Sequence, residues 1–423
     1  MARLFSNLEW TGDRWQHRPG RLGECIALVA GTTVGAGILA LPAATQPVGT
    51  IPATVVMVAV WAYMAVCGLV MGEIVLNAMA RTGRPAIGLL NLVRDRFGPS
   101  GARLAGGLYA ALHYALIVAY LDRGGEILGQ AIADWGWGFG MAAPPAWVGP
   151  ALFVAIFGGL LYFGTERFVD SLNALLFTLA LGAFGLLVAA AAGQWDGAHL
   201  ARGNWGAIGQ TVPIAFVALV YQNIVPTLAV KLEGDGRQLR RAILLGTGLP
   251  LLMFVVWNGA ILGSVGDGWG TGDPFDPLDF LRQQSGIEWL GAAIAIFSEF
   301  AVATSLIGQV YGLYHFFNDA VPWRLGERER RLPLYSLIFG PPLGLVTGDT
   351  SLFFAALDYA GAFGVSILFG IMPAAVAWQQ RDRAIAEGEA RSVRLLPGGK
   401  GILAITILIA VGIISQQILE KIG

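Results

Sequence analysis

Ala30-Gly31-Thr32-Thr33-Val34-Gly35-Ala36-Gly37-Ile38-Leu39-Ala40-Leu41-Pro42 interrupts an apolar run otherwise long enough to cross a bilayer. Each glycine disfavours helix by about 1 kcal/mol relative to alanine, so local unwinding is expected halfway through the span. Irregular backbone at that depth persists only where it is buried in protein or lines a cavity, because its freed amides and carbonyls need partners. Where the helix restarts after Gly37, the amides of Ala36, Gly37 and Ile38 form a helix N-terminus whose dipole favours a carboxylate. The carbonyls opened at Gly31 to Val34 suit a cation or an ammonium group, so a zwitterion such as an amino acid matches both ends. The competing reading is a packing seam, since Gly31-x-x-x-Gly35 also has the small-xxx-small spacing that lets two membrane helices approach closely.

A second stretch weighs against the seam alone. Pro213-Ile214-Ala215-Phe216-Val217-Ala218-Leu219-Val220-Tyr221-Gln222-Asn223-Ile224-Val225-Pro226-Thr227 places a Gln-Asn pair and a proline in mid-membrane, five spans after the first break. Two interrupted helices in corresponding places of two five-span halves point to an inverted-repeat transporter. A proline kink without unwinding is the alternative for the second.

The rest of the chain fits that frame. Of 423 residues 55% are apolar and only 13% are charged, against about a quarter charged in soluble domains, which excludes a soluble multidomain enzyme. Helices are expected over 22–46, 51–78, 104–131, 147–164, 168–193, 207–231, 239–264, 287–318, 333–348, 351–378 and 400–420, each bounded by charges or Gly/Pro clusters. All of the 27 Lys and Arg residues except Arg202, Arg282, Lys421 and Arg123 fall in segments on one side, so the N-terminus is expected in the cytoplasm and the C-terminus outside. Residues 1–21 read as a cytoplasmic segment without a small-residue cleavage site, hence no removable signal peptide. Cys25 and Cys67 lie in apolar runs and suggest neither disulfide nor zinc. No H-E-x-x-H, G-x-S-x-G or paired CxxC occurs, so an intramembrane enzyme is not expected. A channel would show a continuous polar lining, which is absent; a receptor that binds without transporting is the alternative from another class.

These residues resemble the hydroxy and aromatic amino acid permeases, which include bacterial tyrosine- and tryptophan-specific transporters. The likeness rests on residues 31–42, Tyr120 with Gly124-Gly125, Tyr221 to Pro226, Phe297-Ser298 through Ala303-Thr304-Ser305, and Tyr359 to Gly364. It implies the amino acid, polyamine and organocation superfamily: an all-α membrane fold with a LeuT-like five-plus-five inverted repeat, here 22–193 and 207–378, followed by an eleventh helix at 400–420. It also implies import of an amino acid, expected to be aromatic (tyrosine, tryptophan or phenylalanine), by cation symport, with the proton preferred over sodium. The alternative is a sodium-coupled or exchange carrier for branched or small neutral amino acids.

Residue by residue, the resemblance implies that Thr32, Thr33, Gly35, Ala36 and Gly37 hold the substrate's charged groups. Tyr120, Phe216, Ala218, Tyr221, Gln222, Ser298 and Val302 would line its side chain. In sodium symporters of this fold a cation lies between the first and eighth helices; the matching atoms are the carbonyls of Gly31, Val34 and Ala301 and the hydroxyls of Thr304 and Ser305, an oxygen set suited to a hard cation. The competing reading of Thr304 and Ser305 is hydroxyls bonded to their own helix backbone. Three departures from the tyrosine-permease pattern stand out. Val217-Ala218-Leu219-Val220 replaces Thr-Ser-Phe-Gly, Asp122-Arg123 precedes the paired glycines, and Glu299 occupies an otherwise apolar part of the eighth span.

A charge deep in a bilayer costs roughly 2.5–3.5 kcal/mol, so each ionisable residue in a span asks for a reason. Glu299 lies about 12 residues, or about 18 Å, into its helix and is the first candidate proton carrier; a carboxyl facing a vestibule is the alternative. Arg123 either bridges to Asp358 as an outer gate or pairs locally with its carboxylate neighbours, Asp122 and Glu126. Glu24 and Glu73 should find arginine partners at the inner ends of their spans. His113 and His315 read as histidines bonded to neighbouring helices, with proton relay as the alternative. No cofactor is expected beyond the coupling ion, H+ or Na+. The expected partners are a small-molecule amino acid and the lipid of a bacterial plasma (inner) membrane, with no nucleic acid; the sequence specifies no oligomeric state.

Overall fold

An amide buried in hydrocarbon must be satisfied within its own segment, and the apolar runs accordingly form helices. The structure, a computed structural model, describes residues 4–10, 15–17, 20–83, 88–137, 145–192, 196–201, 203–264, 288–321, 325–326, 329–346, 359–387 and 393–422. The long segments are α1 (Leu22–Thr45), α2 (Thr50–Thr82), α3 (Leu89–Trp137), α4 (Val148–Phe163), α5 (Glu166–Ala192) and α6 (Val212–Lys231). They continue with α7 (Gly236–Ser264), α8 (Glu288–Ala320), α9 (Arg331–Leu345), α10 (Gly361–Ala386) and α11 (Gly399–Ile422). Among the described residues, eight of these are long and apolar enough to cross a membrane, and the bent α1 makes a ninth. α4 and α9 are shorter apolar helices.

Both breaks read from the sequence are present. Gly35 leaves helical geometry (φ −46°, ψ −145°), and the two parts of α1 meet at 45°. In α6 the helix stops at Ala218, a 3-10 turn spans Gln222–Ile224, and the helix resumes at Val225. The second interruption is therefore an unwinding and not a proline kink. α1 sits at the centre, packed against α5, the first half of α6, α7 and α8. α8 packs in turn on α3 and α5. On α11, Leu403 and Ala410 are buried while Ile405, Leu408 and Val411 are exposed, the division expected of a helix with one face on protein and one on lipid.

Two elements differ from the sequence reading. α3 is two helical pieces: a helix from Leu89 precedes the expected span, and Gly98, at φ +68° and ψ −172°, makes the kink after which the helix resumes at Pro99, instead of near 104. The N-terminal segment, expected only as a charged lead-in, forms an antiparallel hairpin of β1 (Leu8–Trp10) and β2 (Trp15–His17). It is held by the open end of α6: Asn7 Nδ2 and Gly20 N donate to the Val230 and Lys231 carbonyls, and Asn7 N donates to Glu233 Oε1. Helix C-termini leave carbonyls without intrahelical donors, and here another part of the chain supplies them.

Glu73 and Arg381 join α2 to α10 as a bidentate pair (2.7 and 2.9 Å), both almost fully buried. Arg381 Nη1 also donates to Gly399 O, and Leu395 N donates to Glu73 Oε2. Breaking a buried pair leaves one uncompensated charge, at a cost of about 3–5 kcal/mol. Arg381→Met should therefore lower the thermal midpoint in detergent markedly, and adding Glu73→Leu should restore most of it; a midpoint unchanged by the single substitution would remove the pair from the fold's support.

Candidate functional site

The unwound stretch of α1 packs closely on α8, with a glycine at each of two close approaches. A Cβ at Gly35 would lie 1.8 Å from Ser305 Oγ, and one at Gly308 would lie 2.4 Å from Thr32 Oγ1. That proximity lets Ser305 Oγ donate to the Thr32 carbonyl (2.9 Å) and reach the Gly31 carbonyl (3.3 Å). Two of the carbonyls freed by the break thus meet a hydroxyl of α8. Thr304 Oγ1 donates to the Ala301 carbonyl of its own helix at 3.0 Å. The structure thereby brings Gly31, Ala301, Thr304 and Ser305 to one α1–α8 contact, with Val34 fully buried in the same stretch. Thr32 and Thr33 direct their hydroxyls back to the Leu28 and Val29 carbonyls (2.7 Å each), so what this segment offers a ligand is backbone.

The break in α6 lies beside the break in α1. A Cβ at Gly37 would stand 2.5 Å from Ala218 Cα. Phe216 is buried and tilts against Tyr63 with ring centroids 5.3 Å apart. Tyr221 and Gln222, expected along the substrate's side chain, instead staple the break to α2. Tyr221 Oη and Gln222 Nε2 both donate to the Met64 carbonyl at 3.1 Å, and Gln222 Oε1 accepts from Tyr221 N. From α8, Ser298, Val302, Ser305 and Gln309 share one helical face and all are buried. The buried Tyr120 hydroxyl of α3 stands beside Ser305 and Gln309.

Below the α6 break, toward the hairpin end of the bundle, opens a cavity of about 290 Å³. Gln222 and Asn223 form its roof, Tyr109, Phe316 and Phe369 its aromatic walls, and Glu166 and Lys231 stand among its lining residues. Lys231 Nζ bonds Glu166 at 2.9 Å and also reaches Asp170.

Paired helix breaks around a buried centre, with a cavity leading from it, describe a transporter's core without naming its relatives. Residues 21–417 match the tryptophan/tyrosine permease family. The chain belongs to that family. Among the permease's relatives, tyrosine-specific transport system 1 of Haemophilus influenzae is 27% identical over 369 residues, covering 84% of this chain and 87% of that one. The tryptophan-specific transport protein of Pseudomonas aeruginosa is 26% identical over 380 residues (86% and 88%). The fold is that of MhsT in its crystal structure with L-phenylalanine: TM-score 0.66 at 18% identity, covering 94% of this chain and 100% of that one. The family consists of permeases and not enzymes, and the apolar helices make this permease an integral membrane protein.

Glu299 of the permease is 8% exposed, and neither carboxylate oxygen has a hydrogen-bond partner among the described residues. Arg123 Nη1 meets Glu126 Oε2 at 2.6 Å, which is the local pairing; Asp358 lies outside the described residues. Among the described residues no group of three or more His, Cys, Asp or Glu could hold a metal ion. Gln309 is not singled out by the sequence, and Asn223 only as half of the Gln-Asn pair that marks the second break. Asn223 Nδ2 donates to the Gly308 carbonyl (3.2 Å) and to Gln309 Oε1 (3.4 Å), joining the α6 break to α8. The signal was available, since Gln309 follows Ser305 by four residues and so extends the polar face of α8.

Proposed function

We propose that the permease imports an aromatic amino acid, tyrosine, tryptophan or phenylalanine, by cation symport with alternating access, the proton serving as coupling ion in preference to sodium. The observation that carries this reading is the approach of the two breaks, Gly37 to Ala218, at a buried centre. Backbone of Gly35, Ala36 and Gly37 would take the carboxylate at the restarting helix, while the carbonyls of the Thr32–Thr33 stretch face the ammonium group. Tyr120, Phe216, Ala218, Ser298 and Val302 would enclose the side chain. Tyr221 and Gln222 hold the shape of the break. Residues 22–193 and 207–378 would act as the two inverted repeats, with α11 appended. With the basic residues on the cytoplasmic side of a bacterial inner membrane, the N-terminus and the hairpin would lie inside, and the cavity below the α6 break would open inward. Counterflow tests this: labelled tyrosine or tryptophan should enter proteoliposomes preloaded with the unlabelled amino acid. Binding without exchange would replace the transporter with a receptor.

Two observations favour a second reading, a sodium-coupled or exchange carrier for branched or small neutral amino acids. Oxygens of Gly31, Ala301, Thr304 and Ser305 gather between α1 and α8, and Val217 to Val220 make an all-apolar wall. Under this reading, Thr304→Ala with Ser305→Ala raises the sodium concentration for half-maximal uptake at least about tenfold, because two of the few oxygen ligands are gone. Uptake indifferent to sodium in the unaltered protein would exclude the sodium-coupled carrier, and absence of counterflow with leucine or alanine would exclude the exchanger.

A further inference from the structure

α7 opens with three arginines that no carboxylate answers. Arg237, Arg240 and Arg241 stand exposed in its first turns, and among the described residues none of them makes an ion pair. The acidic groups nearest in sequence are already engaged. Asp235 Oδ1 accepts from Arg237 N at 2.9 Å and from Gln238 N at 3.1 Å, closing the start of the helix. Glu233 Oε1 accepts from Asn7 N and meets His17 Nε2, each at 2.6 Å. The arrangement is unfavourable twice over. A helix N-terminus is its positive end and disfavours a cation, and like charges three and four residues apart repel, as Arg237 does with Arg240 and Arg241. One capping carboxylate does not balance three guanidinium groups, so an anion from outside the chain is called for.

The same face of the helix continues into the membrane. With 3.6 residues per turn, Arg237, Arg241, Leu245, Gly248 and Leu252 fall within a sector of about 80°. Leu245 and Leu252 are 56% and 60% exposed, and a Cβ at Gly248 would meet nothing within 4 Å. The glycine therefore leaves a dip between two leucines that face lipid. Trp61 of α2 stands beside it, its Nε1 donating to Thr247 Oγ1 at 3.1 Å. From Arg241 to Leu252 the helix rises about 16 Å, close to half of a hydrocarbon core about 30 Å thick. A cationic end thus leads into an apolar stripe one leaflet deep.

We infer that α7 seats an anionic diacyl phospholipid, its phosphate on Arg237, Arg240 and Arg241 and one acyl chain in the dip at Gly248 beside Trp61. Charge decides the headgroup. Guanidinium groups bind phosphate through paired hydrogen bonds, and a choline or ethanolamine headgroup would bring a further positive charge against them. The apolar stripe decides the source, because a free phosphate ion makes no use of it. α7 packs on α1, α2 and the lower half of α6, so the lipid rests on the back of the helices that carry both breaks. With the orientation proposed above it is a lipid of the inner leaflet, and its seat requires no particular substrate or coupling ion.

The test is binding to the full-length permease in detergent, read by native mass spectrometry and by the thermal midpoint. Phosphatidylglycerol, phosphatidylcholine and inorganic phosphate are the probes. Phosphatidylglycerol should bind at least about tenfold more tightly than phosphatidylcholine and raise the midpoint, which inorganic phosphate should leave where it is. Arg237→Gln with Arg240→Gln and Arg241→Gln should weaken phosphatidylglycerol by at least about tenfold. Arg94→Gln with Arg96→Gln and Arg103→Gln removes the same charge from exposed positions on α3 and should leave the lipid bound as in the wild type. Gly248→Phe fills the dip, keeps every arginine and should also weaken phosphatidylglycerol. Equal wild-type affinity for the two phospholipids overturns the inference, and this comparison needs no variant to fold. So does equal loss in the two arginine triples, which marks unspecific surface charge. A midpoint raised as far by inorganic phosphate overturns it in favour of a free-anion site, and unchanged lipid binding in the α7 triple or in Gly248→Phe removes the seat.

Discussion

Gly37→Leu is expected to abolish substrate binding and uptake while leaving a monodisperse, helical protein. The obstruction is backbone: the first atom of any side chain at position 37 would stand 2.5 Å from Ala218 Cα and 2.6 Å from Ala218 Cβ. No rotamer relieves that contact, so one break must move away from the other. Overpacking of this kind costs about 1–3 kcal/mol, and a displacement near 1 Å is enough to lower a positioned reaction by about 100-fold. Gly107→Leu is the matched control, because the same added atom at exposed Gly107 meets nothing within 4 Å. Equilibrium binding of labelled tyrosine and tryptophan checks both; wild-type affinity in Gly37→Leu would remove the paired breaks from the substrate site.

Glu299→Gln should separate binding from coupling. The carboxyl is buried in α8 with both oxygens unpartnered among the described residues, and an uncompensated charge at that depth costs roughly 2.5–3.5 kcal/mol. Either a proton or a partner met during the cycle must offset that cost, which is the property a proton carrier needs. Glutamine keeps the shape and cannot release a proton. Counterflow exchange should persist in the variant near the wild-type rate, and accumulation driven by an imposed pH gradient should fall at least about tenfold. Wild-type accumulation under the gradient would take Glu299 out of the coupling mechanism.

What the sequence made legible follows from which physical signals are local. The break in α1 is written in three glycines within seven residues, and the structure bends there. The break in α6 is less explicit: Val217 to Val220 is a good helical run, and what stops it is a tertiary bond set, Tyr221 and Gln222 on the Met64 carbonyl of α2, which no local pattern announces. The same distinction applies to Tyr221, which the resemblance implies along the substrate's side chain: the glycine that receives its hydroxyl, Gly68, lies 153 residues away in the sequence. The resemblance places Thr32 and Thr33 in the stretch that holds the substrate's charged groups without saying which atoms serve; their hydroxyls take the i−4 carbonyls, always within reach in a helix. The N-terminal hairpin escaped notice because its stability depends on the open carbonyls of α6 rather than on its own strands.

The most direct measurement is uptake of labelled tyrosine, tryptophan, phenylalanine and leucine into proteoliposomes, with a proton gradient or a sodium gradient imposed separately. Accumulation of tyrosine and tryptophan under the proton gradient, abolished by dissipating it, is the predicted result. Accumulation of leucine under a sodium gradient, with no response to the proton gradient, would contradict it.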